Sequence, residues 1–328
     1  MTTTSPKKII PSLDILKFIL AIVIISAHCS LFEEFPNLQS IWGSLIGIAI
    51  PIFFSISSYL FFNKIFNGPS TSKTNSIFIH YVKRLAILFT VWYILMIPMT
   101  YFKFYSVATP KETLFAIFLS CCFNGYWFIK ALIINTTILY FFRKHLISCF
   151  IIAILIYLYC AYNYVYGFNP FLKNIQPYYS FYYHIAYFCW GAIFAKYRDT
   201  INFSKWNSQI LIFCWLMMLV TTSFFNTEPL YRFFSFPLLF PVFFNLSITP
   251  KPYHKTMRDL SIILYMVQFL LIWLYNGACD LYLETGSILF QIVHFSIVRF
   301  AIVLSIALCV ALLIIRKESK YQWLKFLH

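Results

Sequence analysis

Long apolar runs recur along this chain of 328 residues, and short polar segments separate them. The runs lack the alternation with a period of two that marks the strands of a membrane barrel. At about 20 residues, they have the length that a helix needs to cross a bilayer. We predict an all-α bundle of about ten transmembrane helices, at 13–32, 41–62, 84–102, 124–142, 146–165, 178–196, 209–225, 230–248, 260–277 and 288–315.

Composition and charge support an integral membrane protein. Hydrophobic residues make up 61% of the chain and charged residues 11%, whereas a soluble domain has about 25% charged residues. If the N-terminus is cytoplasmic and each helix crosses the membrane, most of the 25 lysines and arginines fall on the cytoplasmic side. The exceptions are Lys103, Lys111, Lys173 and Arg232 outside, and Lys17, Lys130 and Arg299 within helices. This bias predicts that both termini are cytoplasmic.

The same bias explains the net charge of +15 without a nucleic-acid partner. We expect contact with membrane lipids instead. We predict one transmembrane domain over residues 1–328, a flexible cytoplasmic connector at 63–83 and no additional soluble domain. The first helix is too long for a removable signal peptide. The nine cysteines include no Cys-x-x-Cys pair, so we expect no metal site.

The first predicted helix carries three ionisable side chains, Asp14, Lys17 and His28. Lys17 and His28 are about three helical turns plus 20° apart, so they share one face at roughly 16 Å along the axis. Asp14 lies three residues before Lys17, on nearly the same side. An ionisable residue within a membrane span costs at least ~2.5 kcal/mol and usually faces a bundle interior or a wet cavity. We interpret this stripe as functional, with His28 as a general base; the alternative is an interfacial histidine with a satisfied hydrogen bond.

Further basic residues are candidates for binding. Lys130 follows Trp127 by three residues in the fourth helix, where it either stabilises an anion or snorkels to the headgroups. Arg299 is expected near the middle of the last helix, where substrate contact and a structural partner fit equally well. Lys83 and Arg84 stand at the cytoplasmic mouth of the third helix. They either bind the phosphates of an anionic donor or are topogenic charges.

Six motifs, in order over residues 10–275, resemble those of the membrane-bound acyltransferase-3 family. The first is the acid, base and histidine of Asp14, Lys17 and His28. The others are 51–60 (Pro-Ile-Phe-Phe-Ser-Ile-Ser-Ser-Tyr-Leu), the pair 83–84 (Lys-Arg), 125–128 (Gly-Tyr-Trp-Phe), 188–191 (Phe-Cys-Trp-Gly) and 261–268 (Ser-Ile-Ile-Leu-Tyr-Met-Val-Gln).

The chain departs from the family pattern at four positions. Lys17 replaces a frequent arginine, which keeps the charge but not the bidentate fork. Ser58 stands at a glycine, and Leu88 stands where a second arginine is expected. Gln268 replaces a histidine and retains hydrogen bonding without acid–base chemistry.

The resemblance implies transfer of an acyl group, usually acetyl from acetyl-CoA, to a hydroxyl of an extracytoplasmic or lipid-linked glycan. Acyl-CoA is then a co-substrate, and no cofactor is bound. His28 acts as base or transient acyl carrier, with Lys17 and Asp14 ordering the donor. We expect donor binding by Arg84, Lys83 and Ser57 and an acceptor-side lining of Trp127, Lys130, Tyr265, Gln268 and Arg299.

The family also implies a bacterial cytoplasmic (inner) membrane, and a homo-oligomer is compatible with the sequence. An alternative function uses the same residues differently. Intramembrane Lys17, Lys130 and Arg299 equally fit the path of a transporter or flippase of an anionic or sugar-linked substrate.

Overall fold

The computed structural model describes residues 10–68, 74–105, 109–110, 126–166, 180–224, 227–284 and 286–328, and helices joined by turns and short loops make up these ranges. The helices are α1 (Pro11–His28), α2 (Pro36–Gly47), α3 (Ala49–Phe66), α4 (Thr74–Tyr105), α5 (Tyr126–Phe141), α6 (Leu146–Tyr166), α7 (Phe181–Lys196), α8 (Ser208–Phe224), α9 (Glu228–Asn245), α10 (Pro252–Tyr282), α11 (Ile288–His294) and α12 (Ser296–Lys317). A short 3₁₀ segment, Gln322–Leu327, follows α12 and packs against α4.

Proline sets the start of several helices. It occupies the first turn of α1, α2, α9 and α10, where the absent N–H has no intrahelical acceptor and the fixed φ suits a helix. Prolines inside α4 and α9 (Pro98, Pro237 and Pro241) leave those helices continuous. Neighbouring helices can satisfy the carbonyls that such prolines free.

Each of the ten predicted helices has a counterpart in the structure. Six candidates are long and apolar enough to cross a membrane: Pro11–His28, Pro36–Phe66, Thr74–Met99, Arg143–Asn163, Pro252–Tyr282 and Ser296–Lys317. A bent pair, Arg198–Lys205 and Ser208–Thr222, raises the number to seven if it forms one span. The fold is thus that of a helical membrane protein, while ten spans and cytoplasmic termini stay predictions.

Several predicted boundaries differ from the structure. The predicted helix 41–62 is interrupted at Ile48, between α2 and α3, and the predicted helix 288–315 is interrupted at Phe295, whose ψ of 126° is not helical. The connector predicted at 63–83 is shorter, because α4 begins at Thr74. Part of that connector, 69–73, lies outside the described residues.

The closest packing of the bundle joins α3 to α7. Ser55 donates a hydrogen bond to the Tyr187 carbonyl at 2.8 Å, and Ser58 donates one to the Phe188 carbonyl at 2.6 Å. A Cβ added to Gly191 would lie 2.1 Å from the Ser55 carbonyl oxygen. Small residues that let helices approach, with hydroxyls bonding across them, are typical of membrane interfaces. Two of the family-like motifs therefore meet as a packing contact.

The outer helices expose apolar side chains, whereas α1 is central. Large hydrophobic residues on α6, α8 and α12 are exposed, among them Leu155, Phe213 and Leu313. Such surfaces fit lipid rather than water. In contrast, α1 packs mainly against α10 and also contacts α2, α3, α9 and α12. The polar stripe of the sequence thus lies on a helix that other helices surround.

Candidate functional site

The polar stripe of α1 lies on the side of the helix that packs in the bundle, and only its end at His28 is exposed. Lys17 and His28 lie on the same side of the helix as Leu20, Ala21 and Ile24, which are 5%, 0% and 4% exposed. The helix is continuous between Lys17 and His28, so the two side chains are roughly 16 Å apart along its axis. Lys17 is half-buried, and His28 is exposed because it is the last residue of the helix. We name the two regions of the stripe the charged end, around Lys17, and the histidine end, around His28.

At the histidine end, the imidazole of His28 packs against Phe269 of α10, with ring centroids 4.5 Å apart. One turn earlier on α10, Tyr265 packs against Phe128 of α5 at 5.1 Å. One side of α10 therefore links His28 to the beginning of α5, where Trp127 precedes Phe128. Of the predicted acceptor-side residues, Tyr265 thus lies one turn from the ring that contacts His28, and Trp127 adjoins the ring that contacts Tyr265.

Arg299 fixes the end of α1. Its Nε and Nη2 both donate to the carbonyl oxygen of Cys29, at 2.9 and 2.6 Å, and Nη2 also bonds Glu33 Oε1 at 2.9 Å. Cys29 directly follows His28 and is fully buried. Its guanidinium thus has the structural partner that the sequence analysis offered as one alternative, and a place on the acceptor side stays a prediction. Arg299 also lies in the first turn of α12, since the break at Phe295 moves it away from mid-helix.

A second set of hydrogen bonds holds the same loop. Ser296, the first residue of α12, donates its backbone N–H to Glu34 Oε1 at 2.6 Å, and its hydroxyl bonds Glu34 Oε2. The same hydroxyl accepts from the backbone N–H of Phe32 at 3.0 Å. Burial acts to raise the pKa of Glu34, but the hydrogen bonds from Ser296 and the charge of Arg299 hold that pKa below its ordinary value of 4.5. We call residues 29–34, with Ser296 and Arg299, the loop lock.

The charged end gathers groups from three helices. Arg258 of α10 lies 3.9 Å from the Asp14 carboxylate and 3.9 Å from Asp259. Arg84 of α4 is close enough to Lys17 for an electrostatic interaction, as are Asp14 and both of the α10 residues. The sequence analysis predicted Asp14, Lys17 and Arg84 at this end, but it missed Arg258 and Asp259. Their only signal is their place at the polar start of an otherwise apolar helix.

The remaining residues predicted to bind the donor lie on α3 and α4. Lys83 and Arg84 are exposed and lie nearly three turns inside α4, not at its mouth, because the helix begins at Thr74. Ser57 is half-buried between Phe53 and Phe61 on one side of α3. Those two rings contact Phe128 of α5 and Tyr81 of α4, so Ser57 faces towards α4.

Two predicted acceptor residues have distinct surroundings. Gln268 is fully buried, and its Nε2 donates to the Tyr265 carbonyl at 2.9 Å, while its Oε1 has no hydrogen-bond partner among the described residues. Lys130 is half-buried on α5, and no hydrogen bond or ion pair joins it to another described residue. Both side chains retain capacity for a further polar contact.

The sequence analysis also missed His184. It is 2% exposed on α7, and it stacks on Phe54 at 4.8 Å and on Trp127 at 5.0 Å. A polar residue within the aromatic run Phe-Tyr-Tyr-His-Ile-Ala-Tyr-Phe was the available signal. The contact extends the aromatic cluster of Trp127 and Phe128 to the α3–α7 interface.

A comparison with models of known protein families finds a match to this chain. A family model described as an acyltransferase domain, of the acyltransferase-3 type, matches residues 10–316. No curated protein and no solved structure matches the chain. The matched region covers α1 to α12 and therefore both ends of the polar stripe.

Proposed function

Because the chain belongs to the acyltransferase-3 family, we propose that it moves an acyl group, in the simplest case acetyl, from acyl-CoA to a hydroxyl of a glycan. Family and apolar helices make it a membrane acyltransferase. The proposal adds that the donor approaches from the cytoplasm, that the acceptor is extracytoplasmic or lipid-linked, and that the membrane is the bacterial cytoplasmic membrane. The charged end then faces the cytoplasm.

The observation that carries this proposal is the single helix that joins the two ends. Cationic groups of Lys17, Arg84 and Arg258 collect at one end of α1, where an anionic donor needs them. An imidazole stands on the same stripe at the other end. A donor bound at the charged end and extended along the stripe brings its thioester towards His28.

The reaction needs one base and no redox partner. His28 accepts the proton of the acceptor hydroxyl while the oxygen attacks the thioester carbonyl carbon. The C–O bond forms, the C–S bond breaks, and the CoA thiolate leaves. The imidazolium returns its proton to that thiolate, so the imidazole is regenerated. The ring of Phe269, which contacts the imidazole, and that of Tyr265, one turn away on α10, offer stacking surfaces for a sugar ring.

Acyl transfer in detergent tests the proposal. Purified protein is incubated with labelled acetyl-CoA and glycan acceptors, without any sealed compartment, and we expect label in the glycan. Binding of either compound with no transfer, and flux only in sealed vesicles, would instead identify a transporter of an anionic or sugar-linked substrate.

His28→Ala should lower the transfer rate about 10²–10⁴-fold, which is the usual contribution of general base catalysis. His294→Ala is the matched control, since His294 lies on α11, where its Nδ1 contacts the Phe290 carbonyl at 2.9 Å. We expect both variants to insert in the membrane and the control to remain active. Near-normal acylation by His28→Ala would refute the role of His28.

A further inference from the structure

A pocket opens at the start of α10, beside the charged end. Its volume is about 220 Å³, and its lining includes Asp14, Lys251, His254, Lys255 and Arg258. Three cationic residues and one carboxylate residue thus share its lining. The first turn of a long helix also contributes the positive end of its dipole and N–H groups that favour anions.

His254 supplies the decisive observation. It is 1% exposed, and the backbone N–H of Lys251 donates to its Nδ1 at 2.9 Å. Because Nδ1 accepts that bond, the proton of the neutral ring is on Nε2. This Nε2 is buried and has no hydrogen-bond partner among the described residues. A buried donor of this kind carries a desolvation cost unless an acceptor binds it.

The cationic groups around this donor are available as well. Arg258 lies 3.9 Å from Asp14 and from Asp259, which is beyond hydrogen-bond distance, and its guanidinium makes no hydrogen bond within the described ranges. Lys251 and Lys255 are exposed at the rim. The several oxygens of a phosphate can accept from these groups, and Asp14 keeps its electrostatic interaction with Lys17, one turn along α1.

We propose that this pocket is a phosphate site that binds the phosphates of the acyl-CoA donor, with His254 Nε2–H as the buried donor and Lys251, Lys255 and Arg258 as its cationic partners. The inference rests on the proposed function. It moves the centre of donor recognition from Lys83 and Arg84 to the start of α10. Asp14 lines both the pocket and the α1 stripe, so phosphates held here let the pantetheine arm follow that stripe towards His28.

Matched substitutions of His254 test the site in the purified full chain. His254→Asn keeps an acceptor near Nδ1 for the Lys251 N–H but loses the Nε2 donor, whereas His254→Gln keeps a donor near Nε2. The probes are acetyl-CoA and S-acetylpantetheine, which carries the same thioester without phosphates. We expect His254→Asn to weaken acetyl-CoA binding about tenfold, with S-acetylpantetheine binding unchanged and His254→Gln close to the wild type.

Lysine variants separate the pocket from general surface charge. Lys255→Gln should weaken acetyl-CoA binding a few fold and reduce its salt dependence. Lys320→Gln removes an exposed lysine beyond α12 and should change neither. Equal effects of the two substitutions would overturn the assignment.

A lipid phosphate is the competing source of the same chemistry. Binding is therefore repeated in nanodiscs of phosphatidylcholine, with and without phosphatidylglycerol. If phosphatidylglycerol competes with acetyl-CoA in the wild type but not in His254→Asn, the pocket binds lipid and the donor assignment is wrong. We expect no such competition.

The two proposals fail in different ways. Normal transfer with acetyl-CoA binding that is the same in the wild type and His254→Asn would overturn the pocket and leave the acyltransferase function standing. Phosphate-dependent binding that is lost in His254→Asn, with no transfer under any condition, would support the pocket and contradict the function.

Discussion

The two ends of α1 are built from different interactions. At the charged end, Arg258 stays 3.9 Å from each of two carboxylates, and Arg84 is exposed. At the histidine end, Arg299 makes three hydrogen bonds between 2.6 and 2.9 Å, two of them to a backbone carbonyl. Long ionic contacts leave cations available for a ligand, whereas short bonds to the backbone fix the position of a neighbouring side chain. The difference agrees with the proposal of donor binding at the charged end and catalysis at the histidine end.

In keeping with this contrast, the His28 imidazole has no polar partner among the described residues. The backbone of the next residue, Cys29, is held by Arg299, so the imidazole is left to the substrate. Phe269 restricts the ring from one side at 4.5 Å. Substitutions at the histidine end should therefore act mainly on the rate of transfer. Substitutions at the charged end should act mainly on donor affinity.

The largest effect among positioning residues is expected for Arg299. Arg299→Leu leaves the buried carbonyl of Cys29 without its donors, which costs about 1–3 kcal/mol of stability. It also frees the end of α1, and a misplacement of 1 Å costs up to about 100-fold in rate. We expect kcat to fall and the KM for the donor to stay near the wild-type value, as measured by steady-state acyl transfer.

Two variants make that test specific. Arg299→Lys restores a charge beside Glu33 and should recover part of kcat. Arg316→Leu removes an arginine near the other end of α12 and should leave kcat unchanged. A rise in donor KM as large as the fall in kcat would show that Arg299 binds substrate and does not position His28.

A smaller and less local effect is expected at the interface of α3 and α7. Gly191→Ala places a Cβ 2.1 Å from the Ser55 carbonyl oxygen, so α3 and α7 must separate. Overpacking of this kind costs about 1–3 kcal/mol. Thermal unfolding in detergent should show a lower Tm, with kcat and donor KM changed together.

Gly43→Ala is the control for that substitution, because nothing lies within 4 Å of the added Cβ and the residue is helical. It should leave the Tm unchanged or raise it. An unaltered Tm for Gly191→Ala would contradict the close approach of α3 and α7.

The smallest effect is expected from the lowered pKa of Glu34 in the loop lock, which makes stability depend on pH. Since the pKa of Glu34 in the folded state is below 4.5, its contribution to stability is present above pH 4.5 and is lost as the pH falls through the lowered pKa. The Tm of the wild type should therefore fall more steeply in acid than that of Glu34→Gln. Glu284→Gln, at a carboxylate near the end of α10, should keep the wild-type slope; identical slopes for all three proteins would exclude this role of Glu34.

The helices could be predicted from the sequence because each is a long apolar run. Their interruptions could not, since they depend on distant partners. Nothing in the apolar run 288–315 marks Phe295, but the backbone N–H and hydroxyl of Ser296 bond to Glu34, far away in sequence. In the same way, α1 ends at His28 and not at residue 32, because the loop lock holds the segment that follows.

The site was predictable where its residues share one helix. Asp14, Lys17 and His28 are related by helical spacing alone, and the structure keeps that spacing. Arg299 was identified, but its partner Cys29 was not, because a backbone carbonyl carries no sequence signal. His254 was missed as well, since its importance comes from a cap bond to Lys251 and from burial by the surrounding fold.

The most direct test compares the two ends in a single kinetic experiment. Steady-state transfer from acetyl-CoA is measured for Lys17→Gln, Lys17→Arg and His28→Gln, with kcat and donor KM determined separately. We predict that Lys17→Gln raises donor KM about tenfold or more, that Lys17→Arg stays near the wild type, and that His28→Gln lowers kcat at least 100-fold with little change in KM. If Lys17→Gln and His28→Gln change the same parameter, or if His28→Gln transfers at the wild-type rate, the division of α1 into a donor-binding end and a catalytic end is contradicted.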